Sequence, residues 1–284
     1  MTDKLQICVF AYNLEHSITN ALHSLLTSCG KYDVEIYVMV NGCRDKTFDK
    51  VKALSRELQQ IKPIFIELGD KSNAWNVFVH EYYDGHSIPV FADGDLTFEA
   101  LAVENLVDFY LTNPGYNAVS SFPCLNGRSG EVWRKELLSK HQFTGNLYLL
   151  SPRFIGQVLE KRVFLPIGLI GDDSMLGYLS ATSLCSGVDS PRDNIGVCTS
   201  AVFNYEPLNP FDLNDLRLYL RRRVRYSKRY FQQNDIVPKL KLYGLAAMPK
   251  YAKEIQPVGI RWLSTNVLFD SIAYLAIHRE KKGS

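Results

Sequence analysis

The sequence has no long apolar run. Nowhere do about 18 apolar residues follow one another without interruption, which is the least a helix needs to cross a bilayer. Paired cysteines are missing too. Cys8, Cys29, Cys43, Cys124, Cys185 and Cys198 include no C-x-x-C pair and no disulfide-like spacing. That argues against a zinc ribbon or a disulfide framework and for buried thiols in a reducing cytoplasm. Excess charge is small, at +2, so bulk charge does not call for a nucleic-acid partner, and no nucleic-acid motif is present. Met1 to Gln6 runs straight into a strand-like segment, which leaves no space for a leader.

What is present suits a folded globular chain. Hydrophobic residues make up 46% and charged residues 22% of 284. This composition allows a sizeable core in one large domain, or in a domain with an appendage.

The chain is organised around Ile88-Pro-Val-Phe-Ala-Asp-Gly-Asp95. A short apolar run, suited to a buried strand, stops at two carboxylates. Asp93 and Asp95 cannot stay buried without compensation. Gly94 lets the backbone turn and leaves room beside it. Two hard oxygen ligands with no Cys or His nearby suit Mg2+ or Mn2+ rather than zinc. An ordinary solvated turn is the other reading.

Before that run, strand and helix patterns alternate. Gln6–Ala11, Val34–Val40, Pro63–Leu68 and Ile88–Ala92 read as strands. Ile18, Ala21, Leu22, Leu25 and Leu26 share one helical face. Val51, Leu54 and Leu58 mark a second helix, Ala74 to Tyr82 a third and Leu101 to Tyr110 a fourth. This order predicts an α/β fold with a mostly parallel sheet flanked by helices. Ligands then bind beyond the carboxyl ends of the strands. Tyr12–Glu15, Asn41–Thr47 and Asp93–Asp95 fall on that edge.

These residues resemble a family. Cys8–Ser28, the Asn41-Gly-Cys-Arg-Asp-Lys-Thr47 loop, Lys71-Ser-Asn-Ala-Trp-Asn76 and Phe91-Ala-Asp-Gly-Asp95 are similar to family 2 glycosyltransferases of the GT-A fold, over roughly residues 5 to 205. The resemblance implies an inverting, nucleotide-sugar-dependent enzyme assisted by Mg2+ or Mn2+. It implies that Asp95 ligates the metal directly, and that Asp93 meets the ribose or a metal-bound water or shares the metal. Asp45 would contact the nucleoside, and Lys71 the base or diphosphate. Ala11, Tyr12, Asn13, Glu15, Asn41, Asn76 and Gly94 complete the implied nucleotide-sugar site. Asn41 departs from the pattern, because many relatives carry an acid there.

The second half repeats the apolar-to-acid motif. Leu165 to Gly171 leads into Asp172 and Asp173. Acids favoured at a helix N-terminus are one reading. The resemblance implies the other: Asp173 as the general base of transfer, with Asp172 as runner-up. Asn117–Ser121 reads as a strand, and a helix starts near Ser151-Pro152. Pro123–Lys140 reads as a loop, either a plain insertion or an acceptor-binding segment. Ile195–Tyr205 reads as another strand.

Beyond about residue 210 the composition changes. Asp212–Phe231 reads as one long helix with seven basic residues between Arg217 and Arg229. Leu213, Leu216, Leu220, Val224 and Phe231 form an apolar stripe beside Arg217, Arg221, Arg225 and Lys228. A solvated face, a site for the diphosphate or an anionic acceptor (Arg221, Arg222, Arg225, Tyr226), and an anionic membrane surface are three readings. Pro238 is expected to break the pattern. Trp262–Ile277 is apolar and suits packing on the main domain, a homo-oligomer contact or a lipid interface.

The expected architecture is a GT-A catalytic domain over 1–210 and a helical appendage over 211–284. Residues to about 115 would hold the nucleotide-sugar, and about 116–210 the acceptor. The expected reaction moves a hexose, from a UDP-sugar first, to a hydroxyl of a glycan or lipid-linked acceptor, as in polysaccharide biosynthesis. The expected location is cytoplasmic, with a peripheral position at the membrane. Two alternatives are a sugar-phosphate nucleotidyltransferase and a non-catalytic sugar-nucleotide binder. The first would carry a glycine-rich basic loop after the first strand, where this chain has Ala11-Tyr-Asn-Leu-Glu15. Four intact acids speak against the second.

Overall fold

The computed structural model describes residues 4–124, 127–186, 191–205, 211–257, 259–262 and 265–282. The expected boundary near 210 lies outside them, as does part of the expected 123–140 loop. The chain runs β1 (Lys4–Ala11), α1 (Ile18–Ser28), β2 (Asp33–Asn41), α2 (Thr47–Glu57), β3 (Ile61–Ile66), α3 (Lys71–Val77), β4 (Ile88–Asp93), β5 (Thr97–Phe98) and α4 (Ala102–Thr112). It continues through β6 (Ala118–Pro123), α5 (Gly127–Lys140), β7 (Leu147–Leu150), α6 (Pro152–Glu160), α7 (Asp172–Ala181), α8 (Pro191–Asn194) and β8 (Ile195–Asn204). Two long helices close it, α9 (Leu213–Tyr243) and α10 (Val267–Lys282).

The sheet order is β3-β2-β1-β4-β7-β6-β8-β5. The first four strands pair in parallel. β7 then runs antiparallel between β4 and β6, and β8 pairs parallel to β6. The parallel half follows from helical crossovers between consecutive strands. Strand alternation sends Leu5, Ile7, Val9 and Ala11 into one core layer and Cys8 and Phe10 into the other. The first layer lies under α1, α2 and α4. The second lies under α3, α6, α7, α9 and α10. Phe231, Ile236, Leu240, Ala273 and Ile277 are buried in that second layer, so the C-terminal helices share the core of the sheet.

Two sequence expectations are corrected. Gly127–Lys140 is a helix, not a loop. Leu137 is buried, and Trp133 meets Phe203 and Tyr205 edge-on, so packing outweighs two glycines. Pro238 does not end α9, which runs on to Tyr243. Pro238 is solvent-exposed, while Ile236 and Leu240 on either side are buried. Their burial holds the turn that the missing N–H would weaken. The two-residue strand β5 was not foreseen. No helix among the described residues is long and apolar enough to cross a membrane.

Candidate active site

The carboxyl ends of β1, β2 and β4 lie side by side, with Phe10 in register with Asp93 and Ala11 with Val40. Gly94 closes the turn after β4 by donating its N–H to Phe10 O at 2.9 Å. A Cβ there would stand 2.8 Å from that same oxygen, so only glycine lets the two carboxylates sit tight against β1. Beyond this edge is a cleft of about 640 Å³. Its walls carry Tyr12, Asn41, Asp70, Lys71, Asp93 and Asp95 from the first half of the chain. Gly145, Asn146, Asp172 and Asp173 come from the second half, and Arg222, Arg225, Tyr226 and Arg229 from α9.

Charge is arranged in pairs. Lys71 Nζ lies 2.6 Å from Asp93 Oδ1 and 3.4 Å from Asp172 Oδ2. That Asp172 oxygen is buried and accepts no hydrogen bond. Arg229 reaches back from α9 to Asp173, at 3.3 Å. Burial, with repulsion from Asp95 and Asp172, raises the Asp93 pKa to about 7 despite Lys71. Burial alone would lower Lys71, but Asp172 and Asp93 outweigh it and hold the ammonium well above its usual range. Among the described residues Asp95 has no cationic partner.

The donor set fits a hard divalent cation. No three acids, histidines or cysteines among the described residues form a self-contained metal cage. Mg2+-like ions are commonly held by one or two carboxylates, with phosphate oxygens of the substrate completing the shell. Asp95, with Asp93 behind it, offers that arrangement.

Asp172 and Asp173 open α7 after Gly171, which has φ 88°. Their side chains differ in access: 13% of Asp172 is exposed and 29% of Asp173. Gly145 makes the Asp173 position possible, because a Cβ on it would lie 2.6 Å from Asp173 Cβ. Asp70 caps α3 by accepting from Asn73 N at 2.7 Å and also holds Gly168 N at 2.8 Å. Gln232 of α9 clamps the same loop, accepting from Ile170 N at 2.7 Å and donating to Gly168 O at 3.0 Å.

Several residues singled out in the sequence stand behind the cleft rather than in its wall. Ala11 is buried, and its carbonyl accepts from Asn41 Nδ2 at 3.1 Å. Asn13 and Glu15 brace the 43–47 loop, accepting from Arg44 N and Lys46 N. Asp45 spends both oxygens on Glu15 N, Thr47 N and Thr47 Oγ1. Asn76 is buried and clamps the backbone of Leu165 with 2.8 Å bonds in both directions. Arg221 is exposed and outside the cleft lining, unlike Arg222, Arg225 and Tyr226. Asp70, Gly145, Gln232 and the Arg229 contact were not singled out. A glycine beside Asn146 and an acid just before Lys71 were the available signals. A second cavity, of about 470 Å³ beneath α3, holds none of the four acids.

The family profile described as "Glycosyl transferase family 2" matches residues 6–163, more than half the chain. This chain belongs to glycosyl transferase family 2. It is therefore a glycosyltransferase, and its fold is GT-A. A mannosyltransferase from Pyrobaculum calidifontis, solved with GDP-Man and Mn2+, is 18% identical, covers 97% of this chain and 75% of its own, and superposes with TM-score 0.60. The glucosyl-3-phosphoglycerate synthase of Mycobacterium tuberculosis, solved with Mn2+, UDP-glucose and phosphoglyceric acid, is 20% identical. It covers 78% of this chain and 79% of its own, with TM-score 0.51. At these identities the likeness is one of fold. Among curated proteins none matches this sequence.

Proposed function

We propose that this glycosyltransferase moves a hexose from a nucleoside-diphosphate sugar, UDP-linked in the first instance, to an acceptor hydroxyl with inversion. One observation carries this reading: Asp93, Asp95, Lys71, Asp172 and Asp173 converge with three arginines of α9 around one cleft at the carboxyl edge of the sheet. The two solved relatives hold nucleotide-sugars and Mn2+, which supports a divalent cation at Asp95. Such a cation neutralises charge developing on the leaving diphosphate.

The chain's own residues supply the rest. Asp173, the more accessible acid of its pair, takes the proton from the acceptor hydroxyl as that oxygen bonds to the anomeric carbon. The bond from that carbon to the diphosphate oxygen breaks, and the oxygen keeps the electron pair. Arg222 and Arg225 stand at the cleft to receive that charge. Lys71 spans Asp93 and Asp172, keeping the donor side and the acceptor side in register. Residues to about 115 serve the donor in this reading, and about 116–210 the acceptor.

A thermal-shift series with UDP, GDP, CDP and dTDP, each with and without Mn2+, tests the donor. One nucleotide should raise the melting temperature only with Mn2+, and Asp95→Ala should abolish the rise. A metal-independent shift that survives Asp95→Ala would remove Asp95 from the metal role.

A further inference from the structure

We propose that the exposed start of α9, Leu213–Arg221, docks on an anionic lipid surface. Between Leu213 and Arg222 the described side chains of α9 are exposed, apart from a half-buried Asp215. At about 100° per residue, Leu213, Leu216 and Leu220 fall within a sector of roughly 60°. Further along the helix the same stripe passes into the core at Ser227 and Phe231. The apolar seam therefore continues outward past the packed part of the helix, with Leu213 73% exposed. On α10, Leu268, Ile272 and Leu275 repeat the pattern. They lie opposite the buried Asp270, Ala273 and Ile277 and face solvent.

Charge selects the occupant. Arg217 and Arg221 flank the leucine stripe on one side and Tyr219 lies on the other. All three are exposed. From Leu216 to Asn234 the sequence has seven basic residues and no acid. A second copy seated on this stripe would bring Arg217 and Arg221 against their own counterparts, which a homodimer does not favour. A nucleic acid would match the arginines and leave the leucines in water. An anionic bilayer satisfies both: leucines enter the acyl boundary, tyrosine sits at headgroup depth and the arginines meet lipid phosphates.

The opposite side of the same helix gives the docking a consequence. Arg222 lies about 180° from Leu213, and it lines the cleft with Arg225, Tyr226 and Arg229. A bilayer under the leucine stripe would stand one helix diameter, roughly 10–12 Å, from the cleft wall on the far side of α9. If the glycosyl-transfer reading above holds, the acceptor on such a surface is lipid-borne. The docking itself does not depend on that reading.

Vesicle flotation of the full chain without nucleotide is the test. Vesicles of phosphatidylcholine alone are compared with phosphatidylcholine and phosphatidylglycerol at about 7:3. The protein should float with the anionic vesicles at ~0.1 M salt, detach at ~0.5 M and ignore the neutral ones. R217E/R221E should lower the partitioning roughly 30-fold or more. L216S/L220S should weaken it at low salt, because the leucines supply the apolar share. Circular dichroism melts confirm folding of each variant. Should a variant fail to fold, the lipid and salt dependence of the unaltered protein still decides. No flotation with anionic vesicles, or equal flotation of the unaltered protein and both folded variants, overturns the proposal. Binding to RNA or heparin without vesicle binding overturns it in favour of a polyanion. A retained Mn2+-dependent nucleotide shift in R217E/R221E would separate loss of docking from loss of the donor site.

Discussion

Asp93 is crowded by carboxylates and relieved by one ammonium. Its folded pKa of about 7 lies above its ordinary 3.8, so between those values the native state holds a proton that the unfolded chain has released. Metal-free protein therefore loses stability as pH rises from about 4 to about 7, by an upper bound of roughly 4 kcal/mol. Lys71 stays charged across that window and adds no slope. Asp93→Asn should flatten the slope, leaving the variant the more stable form at neutral pH, as urea melts at both ends of the window would read. An unchanged slope would mean that Asp93 is ionised throughout. Asp173→Asn should lower kcat by roughly 10²–10⁴ while the nucleotide thermal shift stays intact. A variant with full turnover would move the base to Asp172. The sequence pointed to these acids because an apolar run that ends in paired carboxylates is a local signal. It could not show that Asp45 and Asn76 point their polar atoms at backbone. A loop acid and a helix amide look the same on paper whether they hold a ligand or a neighbouring strand.

Elements bring these side chains to one place, and two contacts between elements are exposed to test. Gly145, just before β7, touches the first turn of α7. In Gly145→Ala the new methyl would stand 2.6 Å from Asp173 Cβ, and one of the two backbones must shift. Transfer should fall at least 10-fold with a stability loss of only about 1–3 kcal/mol. Equal turnover would show that Asp173 tolerates displacement. α10 is pinned by Asp270, which has no exposed surface and pairs with Arg261 at 2.6 and 2.7 Å. Burial would raise the Asp270 pKa, but the paired guanidinium outweighs it and holds the carboxyl below its ordinary value. The Arg261 guanidinium also stacks over Tyr230 of α9 at 3.9 Å. Arg261→Ala strands a buried carboxylate and should cost about 3–5 kcal/mol. Because Asp270 is lowered, the pair's contribution is present above pH ~4 and fades below it. A chemical-denaturation difference that did not shrink at all as pH fell below ~4 would count against the pair as its source. Apart from β5, the strands and helices before residue 112 were legible because each carries its own apolar run or helical period. α5 and the length of α9 were not, because distant partners decide them. Trp133 finds Phe203 and Tyr205, and Ile236 and Leu240 bury a turn that Pro238 would otherwise open.

At the scale of the molecule, the cleft belongs to no single segment of the chain. Strand ends supply Asp93 and Asp95, the second half supplies Gly145, Asp172 and Asp173, and α9 supplies the arginines and the Gln232 clamp. Sequence reading offered the basic helix at the diphosphate or acceptor as one of three readings and did not choose, since α9 lies more than 100 residues from β4 and only tertiary packing sets its place. A nucleotide that fills the cleft therefore couples three parts of the fold. At 100 times its dissociation constant it should add about 2.7 kcal/mol, or roughly 5–10 °C in Tm. Hydrogen exchange should slow together at the β4 turn, at the start of α7 and along α9 near Arg222–Arg229. EDTA should cancel all three effects if the cation at Asp95 completes the site. Slowed exchange at the strand ends alone would mean that α9 does not close on the diphosphate. The cleft arginines Arg222, Arg225 and Arg229 would then serve only the acceptor.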